Sequence, residues 1–263
     1  MFLYTERLNL ISEKEDLNEA KFAIIGVPFD STETNIPGQR FGPNAIRESF
    51  LSKETGAITT KTYDAGNLIV VSGNALKTLE RLEETILDLH QYNNNTIPLI
   101  LGGEHTVTLG AIMALTKKHP DLQILSFDAH FDLKNEFQGE KLSHSSVMRR
   151  ISELGVPITV IGVRTAGEEE KIFSKNINTN LKKIDFKKPT YISIDMDVFD
   201  PSYAPGVGDP ETGGMNPKDV LEILNKKINL VGADIVEVNP MVERYITPSL
   251  AADLMITILD SQQ

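Results

Sequence analysis

Short apolar runs alternate with amphipathic stretches along this chain, and that alternation is what most limits its fold. Leucines at helical spacing follow a candidate N-cap at Asn74, and a second such series begins at Leu109. Because strands that alternate with helices pair in parallel, the pattern predicts an α/β fold with a mostly parallel central sheet and helices on both faces. The predicted strands are FAIIGV (22–27), IPLILGG (97–103), LQILSFD (122–128), PITVIGV (157–163), TYISIDM (190–196) and LVGADIVEV (230–238).

Further helix starts are marked by capping residues. Asn216-Pro217 and Thr247-Pro248 each combine a capping side chain with a proline suited to the first turn, and another helix is predicted to begin near Ser143. His90 and His119 fall near predicted helix ends and are interpreted as structural. The sequence has no internal repeat and no linker-like segment, so residues 1–263 are predicted to form a single domain.

Composition excludes several classes of function. The net charge of −11 disfavours nucleic acid and anionic membranes as partners, since both require a basic surface. The chain has no cysteine, which excludes disulfides, thiolate catalysis and sulfur-ligated zinc. No apolar run approaches the roughly 20 residues of a membrane span, and charges from Glu6 onward do not fit a signal peptide. We therefore expect a cytoplasmic protein.

Six side chains with metal-binding chemistry follow three of the predicted strands. Asp128, His130 and Asp132 lie at i, i+2 and i+4, and alternation along a strand would place them on one face. Because ligand crevices form at the carboxyl ends of parallel strands, we expect all six to meet at one edge of the sheet. The other three are His105, Asp195 and Asp197.

Two imidazoles and four carboxylates predict a site for two divalent ions. Four adjacent ionised carboxylates repel one another, and two divalent cations neutralise them. Mixed nitrogen and oxygen ligation suits manganese, while iron, cobalt, nickel or zinc can bind the same atoms. A single D-x-H or D-x-D pair is more often a turn or a cap, so the prediction depends on the three motifs occurring together.

Five segments of the sequence, which together include all six of these side chains, closely resemble the signature segments of the ureohydrolases, the arginase and agmatinase family. The resemblance extends from about residue 22 to the C-terminus, and residues 141–150 are most similar to archaeal-type agmatinases. It implies a three-layer αβα domain, two Mn2+ per chain and hydrolysis of a guanidino compound to urea and an amine. The matching segments are PGQRFGPNAIR (37–47), GGEHT (102–106), SFDAHFD (126–132), SIDMDVFDPSYAPGVGDPETGG (193–214) and EVNP (237–240).

The resemblance also implies a ligand set, in which Asp128 and Asp195 bridge the two ions. The ligands expected for one ion are His105, Asp128, Asp132 and Asp195. Those expected for the other ion are Asp128, His130, Asp195 and Asp197.

Three residues are expected to act on the substrate. In the mechanism that the resemblance implies, a metal-bridging hydroxide attacks the guanidinium carbon, and Asp132 passes a proton to the leaving nitrogen. Glu237 is expected to orient the guanidinium through paired hydrogen bonds, and His144 to assist proton transfer. The structural alternatives are a satisfied carboxylate on a buried strand for Glu237 and a solvent-facing side chain for His144.

The resemblance favours agmatine, hydrolysed to putrescine and urea in polyamine biosynthesis. Arginases commonly have asparagine where this chain has Lys134, which disfavours arginine. A basic residue at this position also resembles the formimidoylglutamases. Asp209, where threonine is common in the family, instead favours a cationic substrate. Glu104 stands where aspartate is frequent and is interpreted as neutral. Guanidinobutyrate remains a further alternative.

More distant alternatives are a single-zinc deacetylase of the same fold and a non-enzymatic metal-binding scaffold. A deacetylase needs only one ion, so the extra ligands His105, Asp132 and Asp197 favour the ureohydrolase. A scaffold is disfavoured because all six ligands are intact. The resemblance implies a homo-oligomer, either a trimer or a hexamer.

Overall fold

Eight strands form one central sheet in the computed structural model, which describes residues 2–6, 17–53 and 61–261. In chain order they are β1 (Thr5–Glu6), β2 (Phe22–Val27), β3 (Thr62–Leu68), β4 (Ile97–Gly102), β5 (Gln123–Phe127), β6 (Ile158–Ile161), β7 (Thr190–Asp195) and β8 (Leu230–Val236). Their order across the sheet is β1-β3-β2-β4-β8-β7-β5-β6. All neighbours pair in parallel except β1, which is antiparallel to β3.

Helices cover both faces of this sheet and complete a three-layer αβα architecture, as predicted. In chain order they are α1 (Gly42–Leu51), α2 (Ala75–Tyr92), α3 (Val107–Lys118), α4 (Val147–Glu153), α5 (Glu168–Phe173), α6 (Pro217–Leu224) and α7 (Ile246–Ser261). Helices α2, α3 and α4 pack on one face, and α1, α6 and α7 pack on the other. Among the described residues, none of the helices is long and apolar enough to cross a membrane.

Burial on both faces explains why the strands read as continuous apolar runs. In β2, Ala23, Ile25 and Val27 pack into one hydrophobic core, while Phe22 and Ile24 pack into the core on the opposite face. Every residue of β2 is buried, so neither face has polar positions. All six predicted strands are present, each within two residues of its predicted bounds.

Three of the four helix-start predictions agree with the structure. The Asn74 and Asn216 side chains cap α2 and α6 by accepting from the backbone N–H groups of Lys77 and Lys218. Ser143 forms a capping box with Ser146 at the start of a 3-10 turn, His144–Ser146, that leads into α4.

The prediction that Thr247 caps the last helix is wrong. Helix α7 begins one residue earlier, at Ile246, and the Glu243 carboxylate accepts from the N–H groups of Tyr245, Ile246 and Thr247. The Thr247 hydroxyl instead accepts from the Gly206 N–H at 2.7 Å. A longer acidic side chain therefore caps the helix from outside its first turn.

Strand β3 was not predicted, because its sequence TYDAGNL lacks an apolar run. Its polar residues Asp64 and Asn67 face a fully buried arginine, Arg47 of α1. The Asp64 carboxylate accepts from Nε and Nη2 of Arg47 at 2.9 and 2.8 Å. Asn67 Oδ1 accepts from Nη1 at 2.7 Å. A paired buried charge therefore replaces apolar contacts where α1 meets this strand.

Candidate active site

The predicted site residues meet at the carboxyl ends of four consecutive strands, β4, β8, β7 and β5. Asp128 directly follows β5, Asp195 ends β7 and Glu237 directly follows β8. His105 lies in the turn between β4 and α3. The chain passes from β4 to β5 across the two strands that lie between them, and such a switch in strand order opens a crevice at the sheet edge.

The prediction that strand alternation aligns Asp128, His130 and Asp132 is wrong. Strand β5 ends at Phe127, and the three residues follow outside the strand, where the backbone bends at residues 129 and 130. The His130 N–H donates to Asp128 Oδ1 at 2.6 Å, and Asp132 has a left-handed φ of 52°. Glu237 also has a left-handed φ, of 65°. Such conformations cost about 1–3 kcal/mol in a non-glycine residue and concentrate at functional sites.

A first group of ligands surrounds the ring of His105. Its Nδ1 lies 3.2 Å from Asp128 Oδ2, 3.0 Å from Asp132 Oδ2 and 3.3 Å from Asp195 Oδ2. All four residues are buried. Ligand atoms of His105, Asp128 and Asp132 lie within 4.8 Å of one another, close enough to hold one ion.

A second group surrounds the ring of His130 and shares Asp128 with the first. Nδ1 of His130 lies 2.8 Å from Asp197 Oδ2 and 3.6 Å from Asp128 Oδ1. The Asp197 Oδ1 atom is fixed by the Ala129 N–H at 3.0 Å, and Asp195 Oδ1 accepts from the Asp197 N–H at 2.8 Å. Ligand atoms of Asp128, His130 and Asp197 could hold a second ion.

Hydrogen bonds to the Nε2 side of the His105 ring determine where the ring proton lies. They therefore determine that the nitrogen facing the carboxylates, Nδ1, carries a lone pair. Ser193 Oγ donates to Asp234 Oδ1 at 2.6 Å, so the single hydroxyl proton is used there. Ser193 Oγ must then accept from Nε2 of His105, 2.9 Å away, which places the ring proton on Nε2. Thr108 and Tyr191 also donate to Asp234, at 2.7 Å each, and hold it as an acceptor.

Two atoms of the first group, His105 Nδ1 and Asp128 Oδ2, lie 3.2 Å apart with no hydrogen between them when the ring proton is on Nε2. Within residues 2–6, 17–53 and 61–261, His105 Nδ1 and Asp128 Oδ2 are buried and make no hydrogen bond. A buried lone pair on nitrogen facing buried carboxylate oxygens is costly unless a cation binds between them. The donor set therefore fits a metal ion.

Electrostatics point to the same need for positive charge. Burial and the charges of Asp197 and Asp128 raise the pKa of Asp195 well above its ordinary value. Burial and the Asp128 charge raise the pKa of Asp132 to about 7. Burial lowers the pKa of His105, but the surrounding carboxylates outweigh this effect and raise it well above its usual value. The cluster thus stabilises cations strongly.

A cavity of about 230 Å³ opens onto these groups and is lined by His144, Glu237 and Lys134. Glu237 is buried, and its Oε1 accepts from the His105 N–H at 2.6 Å. His144 is partly buried against the ring of Phe137, so it does not simply face solvent. Burial, followed by the Lys134 charge, lowers the pKa of His144 to about 4, which leaves its imidazole neutral at pH 7.

Two of the three residues that depart from the family pattern, Lys134 and Asp209, line this cavity. Lys134 places its Nζ 4.9 Å from the centre of the Phe137 ring. Asp209 is exposed at the mouth, with Oδ2 3.8 Å from His130 Nε2. Glu211 lies on the same side, 3.7 Å from that nitrogen. The mouth therefore carries charges of both signs.

Arg164 supports the site and was not found from the sequence. Its guanidinium donates to the carbonyls of Asp197 and Glu211 at 2.7 Å each, and to that of Thr212 at 3.1 Å. It thereby joins the turn after β7 to the loop at the cavity mouth. A single arginine after β6 has no local signal for this role, because its partners lie far away in sequence.

Glu104 has a structural role that its sequence context did not reveal. It is fully buried and accepts from the Thr32 N–H at 2.7 Å and from the hydroxyls of Thr32 and Thr106 at 2.5 Å each. These bonds tie the loop after β2 to the turn that carries His105. His90 and His119 lie at the ends of α2 and α3, away from the cavity.

Comparisons with known proteins agree with this geometry. The model of the arginase family matches residues 20–260. An agmatinase of Bacillus cereus is 37% identical, with 94% of this chain and 93% of that protein covered. An N(1)-aminopropylagmatine ureohydrolase of Thermococcus kodakarensis is 37% identical, with 90% and 89% covered.

A solved structure of a relative is similar to this chain in fold as well as in sequence. The agmatine ureohydrolase of Thermoplasma volcanium superimposes with a TM-score of 0.85 at 30% identity, with 98% of this chain and 95% of that chain covered. The chain therefore belongs to the arginase family and is a hydrolase that acts on carbon–nitrogen bonds.

Proposed function

We propose that this enzyme is a dinuclear manganese agmatinase, which hydrolyses agmatine to putrescine and urea. The observation that carries the proposal is the pair of ligand groups sharing Asp128 at the base of a cavity that Glu237 lines. The agmatinases among its relatives support the choice of agmatine.

Six residues would hold the two ions. His105, which would offer Nδ1 while its remaining ring proton stays on Nε2, and the buried carboxylates fit hard divalent cations such as Mn2+. When bound, two such cations act as Lewis acids that make a water molecule nucleophilic at neutral pH. The proposed ligands are His105, Asp128, His130, Asp132, Asp195 and Asp197.

The protein's own groups would bind the substrate and move its protons. Glu237 lines the cavity with a carboxylate that can accept two parallel N–H groups of the guanidinium. Asp132 lines the same cavity, and its Oδ2 lies 3.0 Å from Nδ1 of His105. Asp132 is therefore proposed to accept the proton of the attacking water and to deliver it to the nitrogen that leaves as putrescine. His144 is proposed to relay a proton at the leaving end.

The proposal is tested by incubating the manganese-loaded protein with agmatine, N(1)-aminopropylagmatine, arginine, guanidinobutyrate and formimidoylglutamate. Urea and putrescine are expected from agmatine. Formamide from formimidoylglutamate alone would reject agmatinase in favour of formimidoylglutamase, a second candidate that Lys134 in the cavity wall favours. If no compound reacts, the ureohydrolase proposal fails.

Ser193→Ala is expected to weaken metal binding by about 10- to 100-fold. The substitution removes the hydroxyl that receives the Nε2 proton of His105, so Nδ1 is no longer held as the free lone pair. Metal affinity is measured by titrating the metal-free protein with Mn2+. As a control, Ser202→Ala changes an exposed serine on the loop after β7 and should bind Mn2+ normally. Equal affinity of both variants would contradict the role of this hydrogen bond.

His144→Asn is expected to lower kcat by about 100-fold while the metal content stays unchanged. The His144 ring lines the cavity, but it belongs to neither group of candidate metal ligands. Turnover and metal content are measured on the same preparation. His119→Asn, at the end of α3, is the control and should retain full turnover. Unchanged kcat in His144→Asn would remove this residue from the mechanism.

A further inference from the structure

Glu33 is a cavity-lining carboxylate that the proposed mechanism leaves without a role. It lies on the loop between β2 and α1 and lines the cavity together with Glu237 and Asp132. Glu237 lines the same cavity, and its carboxylate lies close enough to Glu33 to raise the pKa of Glu33. Oε1 of Glu33 is shielded from solvent and has no hydrogen-bond partner within the described ranges.

The two glutamates nearest to it in charge, Glu104 and Glu237, differ because the fold satisfies them. Glu104 accepts three hydrogen bonds from Thr32 and Thr106, and Glu237 accepts one from the backbone of His105. In the part of the chain that the structure describes, Glu33 forms no ion pair with a lysine or an arginine. The fold therefore leaves Oε1 of Glu33 without a donor among the described residues.

The charges around Glu33 make its pairing with Glu237 selective for a cation. Burial, then the charges of Glu237 and Glu104, raise the pKa of Glu33 to about 12. Glu33 therefore carries a proton when no cation is bound, and a cation bound beside both carboxyl groups would let both ionise. An alkylguanidinium has five N–H donors in one plane. It can therefore donate to Glu237 along one edge and to Glu33 along another.

We propose that Glu33 is a second guanidinium-binding carboxylate, which acts beside Glu237 and selects cationic substrates over neutral molecules of the same shape. This role rests on the proposed ureohydrolase function and deepens it, because it assigns the recognition of charge to a pair of carboxylates. Glu33 contacts the substrate without joining the proton transfers.

The test compares guanidinium with urea, which has nearly the same shape but no charge. Glu33→Gln preserves the size of the side chain and is expected to raise KM for agmatine about 10- to 100-fold. Because the contact is made equally before and during reaction, kcat should change by less than about threefold. The inhibition constant of guanidinium chloride should rise as KM does, whereas that of urea should stay within about threefold.

Glu136→Gln is the matched control. It removes the same charge from an exposed position near the rim that does not line the cavity, so both inhibition constants should remain at wild-type values. Glu33→Ala is a second variant and should behave like Glu33→Gln.

An unchanged inhibition constant of guanidinium chloride in Glu33→Gln would overturn the proposal. An equal rise in the inhibition constants of guanidinium and urea would also overturn it, because it would indicate a general disturbance of the cavity. If the wild-type enzyme does not hydrolyse agmatine, the proposed function fails separately. The guanidinium and urea affinities of the same variants are then compared by calorimetry, with the same expected difference.

Discussion

Replacing Asp128 by asparagine is expected to lower turnover by at least about 1,000-fold and to reduce the bound metal from two ions per chain to one or none. Asp128 belongs to both ligand groups, with Oδ2 facing His105 and Oδ1 facing His130. An amide offers only one oxygen, and it lacks the negative charge that would hold both cations. Loss of metal stabilisation worth about 4 kcal/mol corresponds to this factor in rate.

Metal content and turnover are measured together, by mass spectrometry of bound metal and by urea release. The matched control is Asp121→Asn, an exposed aspartate at the amino end of the same strand, β5, which should keep both ions and full turnover. Two bound ions and wild-type turnover in Asp128→Asn would contradict the shared role of this residue.

Asp64→Ala is expected to lower the free energy of unfolding by about 3–5 kcal/mol. The substitution leaves the Arg47 guanidinium fully buried without its paired carboxylate, although Asn67 and the Gly66 carbonyl still accept from it. A buried charge without a counterion is costly because water cannot reach it. The change is measured by urea denaturation followed by circular dichroism.

A double variant separates the buried charge from the packing of the two side chains. Arg47→Met combined with Asp64→Leu removes both charges and keeps apolar volume, so at least half of the lost stability should return. A loss below about 1 kcal/mol in Asp64→Ala would show that this ion pair does not stabilise the junction of α1 and β3.

The sequence predicted the strands that carry their own apolar signal. Strand β2 is buried on both faces, so a run such as FAIIGV identifies it without any knowledge of its neighbours. Strand β3 depends on a partner: its Asp64 is buried only because Arg47 of α1 meets it. No property of residues 62–68 alone reveals that pairing.

The residues of the site likewise divide into those that have a local sequence signal and those that depend on distant segments. Asp128 and Asp195 were predictable because they stand at strand ends, where the order of a parallel sheet brings them together. The turn that aims Asp132, with its left-handed φ, was not predictable from the period of a strand. The roles of Arg164 and Glu33 could not be predicted, because each depends on contacts with distant segments of the chain. The single domain, the cytoplasmic location and the trimer or hexamer stay predictions.

The central claim is a two-metal centre in which the ions share Asp128. It is tested most directly by anomalous diffraction from manganese-loaded crystals, with data collected on either side of the manganese absorption edge. Two peaks are expected, one beside Nδ1 of His105 and one beside Nδ1 of His130, with Asp128 in contact with both. A single peak, or peaks away from these two nitrogens, would contradict it.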